Sequence, residues 1–137
     1  MYPPELVAPM SKDLTDFGFE GLTSAAEVDA KLDNAKGTVL VIVNSVCGCA
    51  AAMARPGVKL SINGEKRPDS LVTVFAGVDK EATARAREYM LPYPPSSPSI
   101  ALFKDGQLVH FIERHHIEGR PADQIADNLK LAYAQYC

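Results

Sequence analysis

The chain has 137 residues, 47% hydrophobic and 23% charged, with a formal net charge of −3; this is the balance of one soluble globular domain, and with no basic block it argues against nucleic acid or an anionic membrane as partner. Its longest apolar run, about nine residues ending at Val46, falls far short of the roughly 20 that a membrane helix needs. Residues Met1–Glu5 lack the basic and apolar regions of a secretory signal, and three cysteines are an odd number for a framework of structural bridges, so a cytoplasmic location is expected.

Residues 1–20 read as an N-terminal extension of a single domain, 1–137. Within the extension, Leu6, Val7, Met10 and Leu14 recur at helical spacing, which predicts an amphipathic helix broken or started around Pro9. Phe17–Leu22 alternates apolar with small or polar residues, as a short edge strand does. Ser24-Ala25-Ala26-Glu27 is a capping box, and its helix is expected to run through Leu32 to about Ala35, ended by Lys36-Gly37. Thr38–Val43 is apolar and largely β-branched, the pattern of a buried strand. Ala50–Ala54 are strong helix formers, with Arg55-Pro56 placed to kink or stop the helix.

Asn63–Asp69 is a polar turn region, and Leu71–Val78 is the second strongly β-prone run. Asp79 is placed to cap a helix through Ala82, Ala86, Tyr89 and Met90 that stops before Pro92. Tyr93–Pro98 is too rich in proline for a regular element. Ser99–Phe103 and Leu108–Ile112 flank Asp105-Gly106, a hairpin signature. Pro121 stands at the start of a last helix carrying Ile125, Leu129, Ala132, Tyr133 and Tyr136. Alternating strands and helices closed by a hairpin predict an α/β fold, with one central mixed sheet and helices on both faces.

The chemistry concentrates at Cys47-Gly48-Cys49, where the buried strand hands over to the helix. Backbone N–H groups at a helix start lack internal partners and, with the helix dipole, favour a thiolate there. The thiolate is the attacking species in disulfide exchange, and a second sulfur this close is placed to resolve the product. A disulfide between cysteines one residue apart closes a small ring; Gly48 eases its geometry, yet strain is expected to leave it more reducible than a structural bridge. Other readings stand beside this one. Cys47 and Cys49 form a half-site for zinc if His110, His115 or His116 supplies nitrogen. Free cysteines also pack simply as small hydrophobes. His115-His116 reads as a solvated strand end, and Arg55 either steadies the thiolate or a substrate carboxylate or makes a surface salt bridge. Cys137 reads as a frayed terminal thiol.

The element order, with a dithiol opening the second helix of the α/β core, resembles the thioredoxin fold. Pro98, leading directly into Ser99–Phe103, stands where thioredoxin-like proteins carry a cis-proline facing their cysteines. That resemblance implies a cis Ser97–Pro98 bond with its backbone against Cys47. The departure is the single residue between the cysteines, where thioredoxins have two. The segments Met1–Val7, Asn44–Ala51, Ala54-Arg55-Pro56 and Pro95–Ser99 more narrowly resemble the bacilliredoxins, thioredoxin-like proteins with a Cys-Gly-Cys centre. The resemblance implies a cytosolic thiol–disulfide oxidoreductase that removes bacillithiol from mixed disulfides on other proteins. Cys47 then attacks, Cys49 resolves, and Gly48, Ser97 and Pro98 receive the substrate. It implies no bound cofactor or metal, bacillithiol as thiol co-substrate, and bacillithiolated or disulfide-containing cytosolic proteins as partners. A general disulfide isomerase or reductase, and a non-enzymatic metal-binding or redox-sensing module, use the same thiols and remain alternatives.

Overall fold

The computed structural model describes residues 2–33 and 35–137. Its elements are α1 (Pro4–Thr15), β1 (Glu20–Gly21), α2 (Ala25–Leu32), β2 (Thr38–Asn44), a π-helical turn (Ala50–Ala54) running into α3 (Arg55–Ser61), β3 (Ser70–Phe75), α4 (Lys80–Tyr89), β4 (Ser99–Lys104), β5 (Gln107–Ile112), α5 (Arg114–Ile117) and α6 (Ala122–Tyr136). The strands form one sheet in the order β1-β3-β2-β4-β5. β1, β3 and β2 run parallel, while β2–β4 and β4–β5 pair antiparallel, so the sheet is mixed as expected.

Every residue of β2 is buried, because helices cover both faces of the sheet. Its side chains alternate between two cores. Leu40 and Ile42 pack with Leu14, Val58, Ile125, Leu129 and Tyr133 from α1, α3 and α6. Val39, Val41 and Val43 pack with Val28, Leu32, Ala82 and Ala86 from α2 and α4. The hairpin turn places Asp105 at φ 51° and Gly106 at φ 80°. Two positive φ values in a two-residue loop are what a type I′ turn requires, and Asp-Gly supplies them cheaply.

Local expectations fail where proline and capping were overread. α1 runs unbroken through Pro9. α2 begins with the expected capping box, Ser24 Oγ accepting from Glu27 N–H and Glu27 Oε1 from Ser24 N–H, but it ends at Leu32. Asp79 precedes α4 without a side-chain cap; its carbonyl accepts from Thr83 N–H at 2.9 Å. Pro56 neither stops nor ends its helix. Lacking an N–H, it cannot donate to the carbonyl four residues back, and Arg55 N–H instead reaches five residues back to Ala50 O. The helix absorbs the proline as a π turn.

Gly57 in α3 is where α6 comes closest. A Cβ there would lie 2.7 Å from Ile125 Cγ2 and 2.9 Å from Ile125 Cβ. Alanine gains about 1 kcal/mol of helix propensity, but overpacking costs about 1–3 kcal/mol, and the Ile125 branch point is fixed by the backbone. Gly57→Ala is therefore expected to lower the urea midpoint; a midpoint at or above that of the unaltered protein contradicts this packing.

Candidate active site

The site begins with how β2 ends. Asn44 Oδ1 accepts from Ser45 N–H and from Arg55 Nη1, each at 2.9 Å, and Asn44 Nδ2 donates to the Met10 carbonyl at 3.1 Å. Arg55 also donates to the Ser45 carbonyl at 3.2 Å and, through Nε, to Asp13 at 3.2 Å. Ser45 Oγ in turn accepts Cys47 N–H at 3.2 Å. The Asn-Ser-Val context of the dithiol is thus a turn braced from α1 and α3. Arg55 is 5% exposed and points its guanidinium at this turn. Of the readings of Arg55 as a steadier of the thiolate or a substrate carboxylate, or as a member of a surface salt bridge, the ion pair is present, with Asp13, but the guanidinium itself is buried, donates to no cysteine sulfur and braces the turn.

Cys47 stands immediately before the helical residues, which begin at Gly48. Its carbonyl accepts from Ala50 N–H at 3.0 Å and Ala51 N–H at 3.3 Å. Its sulfur accepts Cys49 N–H at 3.4 Å, much as a capping hydroxyl would. The two sulfurs lie 2.7 Å apart as free thiols. The Cys49 side-chain hydrogen bond lowers the Cys47 pKa most; burial opposes it, and Cys49 N–H, the Arg114 charge and Ala50 N–H lower it further. Cys49 is buried, and desolvation, followed by the hydrogen bond and charge of Cys47, pushes its pKa up to about 11. The pair therefore shares its proton unequally: Cys47 gives up a proton more readily than Cys49 does. Gly48 is exposed, with no positive φ and no atom within 4 Å of where a Cβ would stand. Neither strain nor crowding calls for glycine in the dithiol form; its bare backbone leaves the approach to Cys47 open.

The pairing of Val43 with Ser99 brings Ser97 and Pro98 to the same end of the sheet as the Asn44–Cys47 turn. The Ser97–Pro98 bond is cis, as the resemblance implies, and Pro98 is buried; Leu91–Pro92 is also cis. The link between this loop and the dithiol is a residue the sequence reading missed. Arg114 Nη2 donates to Cys47 Sγ and Nη1 to the Ser97 carbonyl, both at 3.1 Å. Its backbone N–H donates to Ser96 Oγ at 3.3 Å, and Nε pairs with Glu118. The signal lay in the hairpin. Counting back from Asp105-Gly106 alone would pair Ile100 with Phe111 and put Glu113 level with Pro98; a bulge between Leu102 and Phe103 shifts the register by one, pairs Ile100 with Ile112 and so brings Arg114 level with Pro98.

The neighbouring histidines are not a strand end. His115 and His116 are exposed on α5, their ring centroids 4.0 Å apart. With Glu113 they bring three donor atoms within 4.8 Å of one another, and neither cysteine belongs to that group. His110 Nε2 is hydrogen-bonded to Asn128 Oδ1 at 2.7 Å. The zinc half-site that would join cysteines to histidines is therefore not assembled among the described residues. Cys137 is exposed just beyond α6.

Limiting iodoacetamide below neutral pH is expected to label Cys47 well ahead of both other cysteines. Cys47 has a lowered pKa and is partly exposed, whereas Cys49 is buried with its pKa pushed up to about 11. Peptide mapping by mass spectrometry reads the order, and preferential labelling of Cys49 would reverse the roles inferred from the proton sharing.

A free dithiol at a helix start, beside a cis-proline loop on this sheet, defines a thiol–disulfide oxidoreductase of thioredoxin-like fold. Thioredoxin from Malassezia sympodialis superposes with a TM-score of 0.59 at 17% identity, over 87% of this chain and 90% of that one. A mutant thioredoxin from Halobacterium salinarum gives 0.58 at 21% identity, over 88% and 91%. The family model described as disulphide isomerase matches residues 2–137. A bacilliredoxin of Cytophaga hutchinsonii is 61% identical over 133 residues, 97% of this chain and 98% of its own. One of Halalkalibacterium halodurans is 52% identical over 136 residues, covering 99% and 94%. The chain belongs to the bacilliredoxin family.

Proposed function

We propose that this oxidoreductase removes bacillithiol from mixed disulfides on cytoplasmic proteins. The observation that carries the reading is the asymmetry of the dithiol: a partly exposed, acidified Cys47 beside a buried Cys49 whose pKa is pushed up to about 11. The Cys47 thiolate attacks the bacillithiol sulfur. A bond forms between those two sulfurs as the bond to the substrate protein breaks, and the substrate sulfur leaves as a thiolate that takes a proton from water. Cys49 then loses its proton and attacks Cys47, releasing bacillithiol and closing the Cys47–Cys49 disulfide. Two equivalents of an external thiol reduce that disulfide in two exchanges, leave as their own disulfide and restart the cycle. Gly48, Ser97 and Pro98 line the approach. No cofactor is required, because sulfur exchange needs only thiolates and disulfides. Bacillithiol is the thiol co-substrate, and bacillithiolated cytosolic proteins are the partners. Among the described residues no helix is long and apolar enough to cross a membrane.

Relatives carrying the bacilliredoxin name support this reading, while the description of the family model keeps disulfide isomerisation as the second one. The test presents the protein with a bacillithiolated protein and, in parallel, with a protein holding an internal disulfide. Intact-mass analysis is expected to show faster release of bacillithiol than opening of the internal bridge. The opposite order would replace this reading with an isomerase or reductase.

A further inference from the structure

We propose that Arg114 forms a carboxylate-binding subsite beside Cys47, filled in the resting protein by Glu118, through which the site prefers small thiols that carry a carboxylate. The inference rests on the de-thiolation reading above and narrows its substrate class.

A guanidinium has five N–H donors in a planar fork suited to carboxylates. In Arg114, three have partners: Nη2 on Cys47 Sγ, Nη1 on the Ser97 carbonyl and Nε on Glu118. The first two fix the guanidinium against the reacting sulfur. The third partner is replaceable, because both side chains are solvent-exposed, 44% for Arg114 and 51% for Glu118. An exposed ion pair of this kind is weak, so an incoming carboxylate displaces it at little cost, and two further N–H groups have no partner among the described residues. Reach is also satisfied. The sulfur under attack must come within about 3.5 Å of Cys47 Sγ, and Arg114 Nη2 already lies 3.1 Å from that atom. A carboxylate two or three bonds beyond the attacked sulfur therefore falls within range of the guanidinium. Arg55, the other arginine near the dithiol, is buried in the Asn44–Ser45 turn and has no part in this.

The test uses one protein cysteine capped either with 3-mercaptopropionate or with 3-mercaptopropionamide, which differ only in the terminal group. Transfer to Cys47 is followed by intact mass. Both substrates meet the same Cys47, so its ionisation cancels in the ratio of their rates. The unaltered protein is expected to take the carboxylate thiol about two- to fivefold faster, the size of an exposed guanidinium–carboxylate pair. Arg114→Gln brings the ratio close to one, whatever it does to the absolute rates. Glu118→Gln raises it, because the resident competitor is gone. Equal rates in the unaltered protein, a preference surviving Arg114→Gln, or a preference lost in Glu118→Gln would each overturn the subsite alone. Failure to accept either small thiol would overturn the de-thiolation reading, and this proposal with it.

Discussion

Cys47→Ala is expected to abolish removal of a small thiol from a protein mixed disulfide, whereas Cys49→Ala keeps one transfer and accumulates Cys47 capped by that thiol. Exchange proceeds by one thiolate attacking one sulfur, and the geometry leaves Cys47 alone in that role. Its sulfur is the one that accepts from Cys49 N–H and Arg114, and Cys49 is too buried and too weakly acidic to replace it. Once Cys47 is capped, the situation of Cys49 changes. Two of the causes that raise its pKa, the hydrogen bond to Cys47 and the Cys47 charge, disappear with the thiolate. Desolvation remains. The resolving thiol is therefore restrained while the nucleophile is free and becomes more acidic when there is something to resolve.

Intact-mass analysis of both variants checks this expectation. A Cys49→Ala protein that refuses the small thiol yet becomes trapped on a protein with an internal disulfide would point to a dithiol reductase or isomerase. Retained transfer in Cys47→Ala would move the nucleophile to Cys49 or to the exposed Cys137, contrary to the proton sharing.

The strands, the hairpin and the dithiol were legible in the sequence because each rests on local chemistry. Thr38–Val43 could only be a buried strand, Asp105-Gly106 fits the left-handed turn it adopts, and two cysteines before a run of alanines mark a helix start. What was illegible depends on partners distant in sequence. Arg55 looked like a surface residue until α1 supplied Asp13 and the end of β2 supplied Asn44. Arg114 lies 67 residues from Cys47 and meets it only because β4 and β5 carry the chain back to the same end of the sheet. Proline also misled. In α1 the cost of an interior proline is offset by the burial of Val7 and Leu14 on either side of it, and Pro56 falls in the first turn of α3, directly after the π turn, where a proline is tolerated.

Arg55→Met is expected to cost the fold about 2–4 kcal/mol and to slow alkylation of Cys47. Methionine retains a long apolar stem, so the change removes mainly the guanidinium. The buried Ser45 carbonyl then loses its Arg55 donor, and Asn44 Oδ1 keeps only Ser45 N–H. An unsatisfied buried polar group costs about 1–3 kcal/mol, and removing one member of a buried charged network costs about 3–5 kcal/mol. The lower part of that range applies because Asp13 is 37% exposed and retains Lys59 at 2.6 Å. Against a typical domain stability of about 5–15 kcal/mol this is a large fraction. The effect on Cys47 follows from the same turn, since Ser45 Oγ holds the Cys47 backbone N–H that sets the sulfur over the helix start. Asp13→Asn separates the two contributions: it removes the counter-charge but keeps an amide oxygen able to accept from Arg55 Nε and leaves Arg55 on Asn44 and Ser45, so it should cost less than Arg55→Met. Urea denaturation of both variants, with iodoacetamide rates at Cys47 measured alongside, decides the matter. If Arg55→Met matches the unaltered protein in midpoint and labelling rate, the buried guanidinium does not brace the turn. If Asp13→Asn costs as much as Arg55→Met, the ion pair rather than the turn is what the arginine serves.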